Sequence, residues 1–136
     1  MKHSENCIFC RIVAGTIPSN KVWENDHFLA FHDINPSAPV HILLIPKTHY
    51  IDLNDMAASA DGRVQMAELL PVAEQLTHEL GCAIKRDSSA THADADFGIA
   101  LQGGFRLSMN NGPDGGQEVG HVHLHLLAKK SKEKSS

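Results

Sequence analysis

Hydrophobic positions along the chain follow two periods, one helical and one extended. In 7–14 (Cys-Ile-Phe-Cys-Arg-Ile-Val-Ala), Ile8, Phe9 and Ile12 share one side of a helix and Gly15 follows as a stop, which predicts a short N-terminal helix. Segments 21–24 and 27–33 are rich in Val, Trp, Phe and Leu and read as two strands of a hairpin turning at Asn25-Asp26. Two prolines in four residues, Pro36 and Pro39, make 33–39 an irregular connection, and 40–46 then reads as a buried strand ended by Pro46. An Asp-rich linker over 52–61 leads into apolar residues at Val64, Ala67, Leu70, Ala73, Leu76 and Leu80. That spacing is helical, Gly81 is its natural stop, and Pro71 should kink or divide it. Residues 86–96 are small and polar without periodicity, a mobile loop by composition. Segments 97–102 and 105–110 flank Gly103-Gly104 as a second hairpin, and a glycine-rich turn over 111–117 leads into a last strand, 121–127. Two hairpins, a single strand after the first, a long helix and a final strand predict an α+β domain with an antiparallel sheet.

Composition narrows the partners more than the fold. With 136 residues and 42% hydrophobic content the chain supports one core, read as a single domain over 1–128 with a disordered Lys/Ser-rich tail at 129–136. The net charge of -4 argues against nucleic acid or an anionic membrane as a partner, while leaving room for a small anion held by local groups. Three cysteines do not make a disulfide framework, no apolar run is long enough for a membrane span, and 1–6 lack the apolar stretch of a signal peptide. The expected location is therefore the cytoplasm.

Candidate chemistry concentrates in His121-Val122-His123-Leu124-His125-Leu126-Leu127. On a strand, His121, His123 and His125 project to one face and Val122, Leu124 and Leu126 to the other, giving a chemical face backed by a core face. Clustered imidazoles suit a nucleophile, a general acid or base, or a metal ligand. Alternate positions lie about 6 to 7 Å apart, which disfavours all three converging on one ion. The preceding turn favours an anion: Gly115 and Gly116 let backbone amides approach it, and Gln117 and Asn110 add side-chain donors. Cys7 and Cys10 have the spacing of metal ligands and equally of two thiols packed in a helix.

The run 121–127 resembles the signature of the histidine triad (HIT) family of nucleotide-binding proteins. Segments 7–18, 28–41, 45–49 and 110–127 are similar to its phosphoramidase-type, bacterial branch. The resemblance implies a HIT-like α+β fold: an antiparallel sheet of about five strands, one long helix and a short N-terminal helix. It implies a nucleotide hydrolase or transferase in which His123 attacks the α-phosphorus of a nucleoside 5'-phosphoramidate or related AMP- or GMP-type conjugate, forming a nucleotidyl-histidine that water cleaves. His125, Gln117, Asn110 and the Gly116 amide would stabilise phosphoryl charge, with His121 in support. Asp33 would bind the ribose, His41 would lie near the nucleophile, and Ile8, Phe9, Ile12, Phe31, His32 and Ile34 would wall the base. A homodimer is implied, with no cofactor required for catalysis. Some relatives hold a structural zinc through residues matching Cys7, Cys10, His49 and His121. Three departures limit the carry-over: Glu118 stands where well-known phosphoramidases have serine, the chain lacks a Trp-Pro-Pro-Gly ending, and 86–96 is additional. The competing readings are a nucleotide-binding or regulatory module with little turnover, a dinucleoside polyphosphate hydrolase, and a metal-binding protein whose triad ligates an ion.

Overall fold

Two apolar runs become the middle of a five-stranded antiparallel sheet. The computed structural model describes residues 3–85 and 102–129; the expectations for 86–96, for most of the first strand of the second hairpin and for the tail beyond Lys129 fall outside them. Strands β1 (Lys21–Glu24), β2 (Phe28–His32), β3 (Val40–Pro46), β4 (Arg106–Ser108) and β5 (Leu124–Ala128) lie in the order β1-β2-β3-β5-β4. Asn25 makes the first turn by accepting the His27 and Phe28 amides on its Oδ1 at 2.9 and 2.7 Å. All seven residues of β3 are buried, because its two faces meet different helices.

Alternation along the strands assigns those faces. Phe28, Ala30, Val40, Ile42, Leu44, Leu124, Leu126 and Ala128 pack with Leu69, Val72, Ala73 and Leu76 of α3 (Ala60–Leu80). Leu29, Phe31, Leu43 and Ile45 point the other way, against Phe9, Cys10 and Ile12 of α1 (Ile8–Ala14). Cys7 caps α1 at its N-terminus, accepting the Cys10 amide on sulfur, and Gly15 ends it in the left-handed conformation.

Five expectations change. The linker over 52–61 is not irregular: it contains α2 (Leu53–Ala57), capped by Asp52, and the start of α3, capped by Ser59. Helix α3 does not bury the Val64-Ala67-Leu70 stripe; Val64 and Leu70 are each 60% exposed, and the inward face is Gly62, Gln65, Leu69, Val72, Ala73, Leu76 and Thr77. The cause is a close crossing: a Cβ on Gly62 would lie 1.8 Å from the Met56 carbonyl oxygen, so glycine lets α2 and α3 touch there and sets the rotation of α3. Helix α3 also runs undivided through Pro71, whose exposed position leaves the freed carbonyl to water. Finally, Gln102 pairs with Lys85, and β5 begins at Leu124, so His121 to His123 are an extended approach to the strand, tied down by the Val122 amide on the Tyr50 carbonyl at 2.8 Å.

Candidate active site

Three imidazoles that look equivalent in the sequence have three different settings. His123 is buried, with Nδ1 2.7 Å from the His121 carbonyl oxygen, which can only accept. Its proton therefore sits on Nδ1, and the Nε2 lone pair is left free. Phe9 packs edge-on to this ring, with centroids 5.3 Å apart, and stops it from turning.

His125 acquires the opposite tautomer through His41. The Ser37 amide donates to His41 Nδ1 at 3.0 Å, so neutral His41 carries its proton on Nε2. That Nε2 lies 2.9 Å from His125 Nδ1 and 3.4 Å from an Asp33 carboxylate oxygen. His125 Nδ1 thus accepts, and its Nε2–H is the donor. Burial, followed by the nearby His123 and His41 imidazoles, holds His125 below its ordinary pKa, while Asp33 and Glu118 pull the other way. His125 and His123 sit 5.1 Å apart between centroids, one offering a proton and the other a lone pair.

Both open on a cleft of about 460 Å³, a volume suited to a small ligand. Its wall brings together Ile8, Phe9, Ile12, Phe31, His32, Asp33 and Ile34, with Asn110 and Gly116 also in the lining. Ile8 and Ile34, 46% and 89% exposed, form an apolar rim. His41 stays behind His125, outside the lining. Leu43, Val119 and the Pro18-Ser19-Asn20 corner also line the cleft and were missed by sequence reasoning. Leu43 was recoverable, since it shares the His41 face of β3; the corner carries no such signal.

Gln117 corrects the expectation of a direct anion donor. Its Nε2 donates to the Ile51 and Val119 carbonyls at 2.7 and 2.9 Å, and its Oε1 accepts the Gly112 amide at 2.7 Å. It is a brace for the glycine turn. Asn111, not anticipated, assists by accepting the Leu53 amide at 2.6 Å and donating to Asn54 at 3.0 Å. Gly116 closes the turn at φ 80°, a conformation costly for any residue with a Cβ.

His121 leaves the cleft altogether. It is fully buried, its Nε2–H donates to the Pro46 carbonyl at 2.8 Å, and its Nδ1 lone pair faces Cys7, Cys10 and His49. Burial pushes it down to about 4, so it is neutral, and burial raises the Cys10 thiol. His121 Nδ1 lies 3.3 and 3.6 Å from the Cys7 and Cys10 sulfurs and 3.2 Å from His49 Nδ1, and Cys10 Sγ lies 3.3 Å from His49 Nδ1. A tetrahedral zinc with bonds of about 2.3 Å to sulfur and about 2.05 Å to nitrogen has edges of about 3.5 and 3.3 Å, so the four donors fit that ion. The triad does not share one metal: His121 belongs to this cluster, while His125 groups with His41 and Asp33.

The comparisons agree with this architecture. The HIT domain family model matches residues 14–132, and the chain belongs to the HIT family. It is 36% identical over 124 residues to the purine nucleoside phosphoramidase of Escherichia coli K12, covering 91% of this chain and 87% of that protein. It is 38% identical over 126 residues to a 13.2 kDa HIT-like protein of Azospirillum brasilense, covering 93% and 88%. Among solved structures, a histidine triad protein from Clostridium difficile matches with a TM-score of 0.73 at 40% identity, covering 94% of each chain. A HIT family hydrolase from Legionella pneumophila Philadelphia 1 matches at 0.67 and 38%, covering 90% and 91%. No helix among the described residues is long and apolar enough to cross a membrane.

Proposed function

We propose that this chain hydrolyses nucleoside 5'-phosphoramidates of the purine type through a nucleotidyl-histidine at His123. The observation that carries the reading is the pair of opposed tautomers: the His121 carbonyl leaves His123 Nε2 as a lone pair on the cleft, and the His41 relay makes His125 a donor beside it. The nucleoside lies along the apolar wall of Ile8, Ile12, Phe31 and Ile34 with its ribose at Asp33. As His123 Nε2 forms its bond to phosphorus, the phosphorus–nitrogen bond of the substrate breaks and the amine takes up a proton from solvent as it leaves. Water then attacks phosphorus, gives a proton back, frees His123 and releases the nucleoside monophosphate. His125 Nε2–H, the Asn110 amide and the backbone at Gly116 stabilise the phosphoryl oxygens, and Gln117 holds that backbone in place.

Charge favours this substrate over a dinucleoside polyphosphate. Among the described residues, no lysine or arginine lines the cleft, while Asp33 and Glu118 do. One phosphoryl group can be met by neutral donors, whereas a polyphosphate would bring several charges without a cation to match. Incubation with adenosine and guanosine phosphoramidates, and with a diadenosine polyphosphate, tests the reading. Faster turnover of the phosphoramidates is expected; preference for the polyphosphate, or binding without product, would replace it with one of the alternatives.

We further propose that Cys7, Cys10, His49 and His121 hold a structural zinc. The ion would supply a cross-link joining α1, the segment after β3 and the approach to β5, and would take no part in the reaction. Metal analysis should find about one zinc per chain in metal-replete protein and much less in Cys7→Ser.

A further inference from the structure

We propose that the cleft continues into a leaving-group chamber, and that Glu118 at the neck between them selects leaving amines bearing a positive charge. The inference rests on the phosphoramidate reading and names the half of the substrate which that reading leaves open.

A second cavity, of about 370 Å³, is lined by Ser4, Asn6, Cys7, Ile8, His49, Glu118, Val119 and Gly120. Ile8, Glu118 and Val119 also line the cleft, so the first turn of α1 and the segment leading to the triad form a shared neck. A phosphoramidate carries the nucleoside on one substituent of phosphorus and the amine on another. With the nucleoside along the apolar wall, as proposed above, the neck offers the amine's substituent a route away from it.

The charge of the chamber then determines what fits. Ser4, Asn6, Ile8, Val119 and Gly120 are uncharged, and a zinc centre of two thiolates and two imidazoles is neutral in sum. Among the described lining residues of the chamber, Glu118 carries the remaining formal charge; it is exposed at the neck, and its field reaches His125. Among the described residues, no lysine or arginine lines either cavity. A leaving amine with a distal ammonium gains an attraction there, and one with a distal carboxylate meets a repulsion.

The test uses adenosine 5'-phosphoramidates of three aliphatic amines of equal length, ending in ammonium, hydroxyl or carboxylate, with kcat/KM compared at low and high salt. An exposed carboxylate should spread the series roughly tenfold from cationic to anionic end at low salt, and less at high salt. Glu118→Gln should flatten the ratio and Glu118→Lys should invert it. Because the readout is a ratio within one protein preparation, it is independent of how much of each variant folds. A flat wild-type series, or a gradient that persists in Glu118→Gln, overturns the inference while leaving phosphoramidase activity standing. Failure to turn over any of the three overturns the activity itself and the inference with it.

Discussion

The two faces of one sheet divide the work of this molecule. On the α3 side, Ile42, Leu44, Leu124 and Leu126 meet aliphatic side chains, and every contact is exchangeable for another of similar volume. On the α1 side, one residue further along the same strands, His41, Leu43, His123 and His125 adjoin a cleft, each imidazole oriented by a specific partner. A period of two therefore lets β3 and the approach to β5 serve the core on one face and the candidate site on the other, with little interference between them.

Substitutions can break that division on either side. His123→Ala should lower turnover by about 10⁴-fold or more with the melting temperature nearly unchanged, as steady-state assays and thermal denaturation would report. On the opposite face, Leu126→Ala should cost about 2 to 5 kcal/mol in denaturant unfolding while turnover per folded molecule is retained. A loss of specific activity in Leu126→Ala matching that of His123→Ala would show that the faces are not separable.

Acid probes a third region, the Cys/His cluster. In zinc-free protein, His121 is held near 4 against an ordinary value of 6.5, so the unfolded chain takes up its proton first as pH falls. Its contribution is present above about pH 6.5 and is lost between there and pH 4, amounting to about 3 kcal/mol. The His125 shift has the same sign. Unfolding in denaturant at a series of pH values should show this slope, and His121→Gln should remove much of it. The smallest effect is expected at Gly116→Ala, where forcing a Cβ into φ 80° should cost about 1 to 2 kcal/mol and shift the backbone proposed to meet the phosphoryl group. Comparison of its kcat/KM loss with its stability loss would sharpen the role of the turn.

Much of this was legible in the chain because local rules dominate where it was. The bounds of β1 and β3 and the end of α1 follow from strand composition, Pro46 and Gly15. The proposed reading of the histidines as a phosphoryl site also came from neighbours in sequence, since the glycine turn adjoins the triad. The orientation of α3 was not legible. It depends on a backbone contact between Gly62 and Met56, and a glycine, a glutamine and a threonine on the buried face carry little hydrophobic signal. Gln117 misled for a related reason: a carboxamide that braces a loop and one that binds an anion look alike until the Ile51 carbonyl is placed beside it. The tautomers of His123 and His125 likewise depend on a carbonyl and on an amide relayed through a residue 84 positions away.

The central claim is a covalent nucleotidyl group on His123. Rapid acid quench of protein mixed with an adenosine phosphoramidate, followed by intact mass and peptide mapping, tests it most directly. The account predicts a transient adenylyl adduct on His123 that is missing from His123→Ala; turnover without an adduct, or an adduct that survives in His123→Ala, would contradict it.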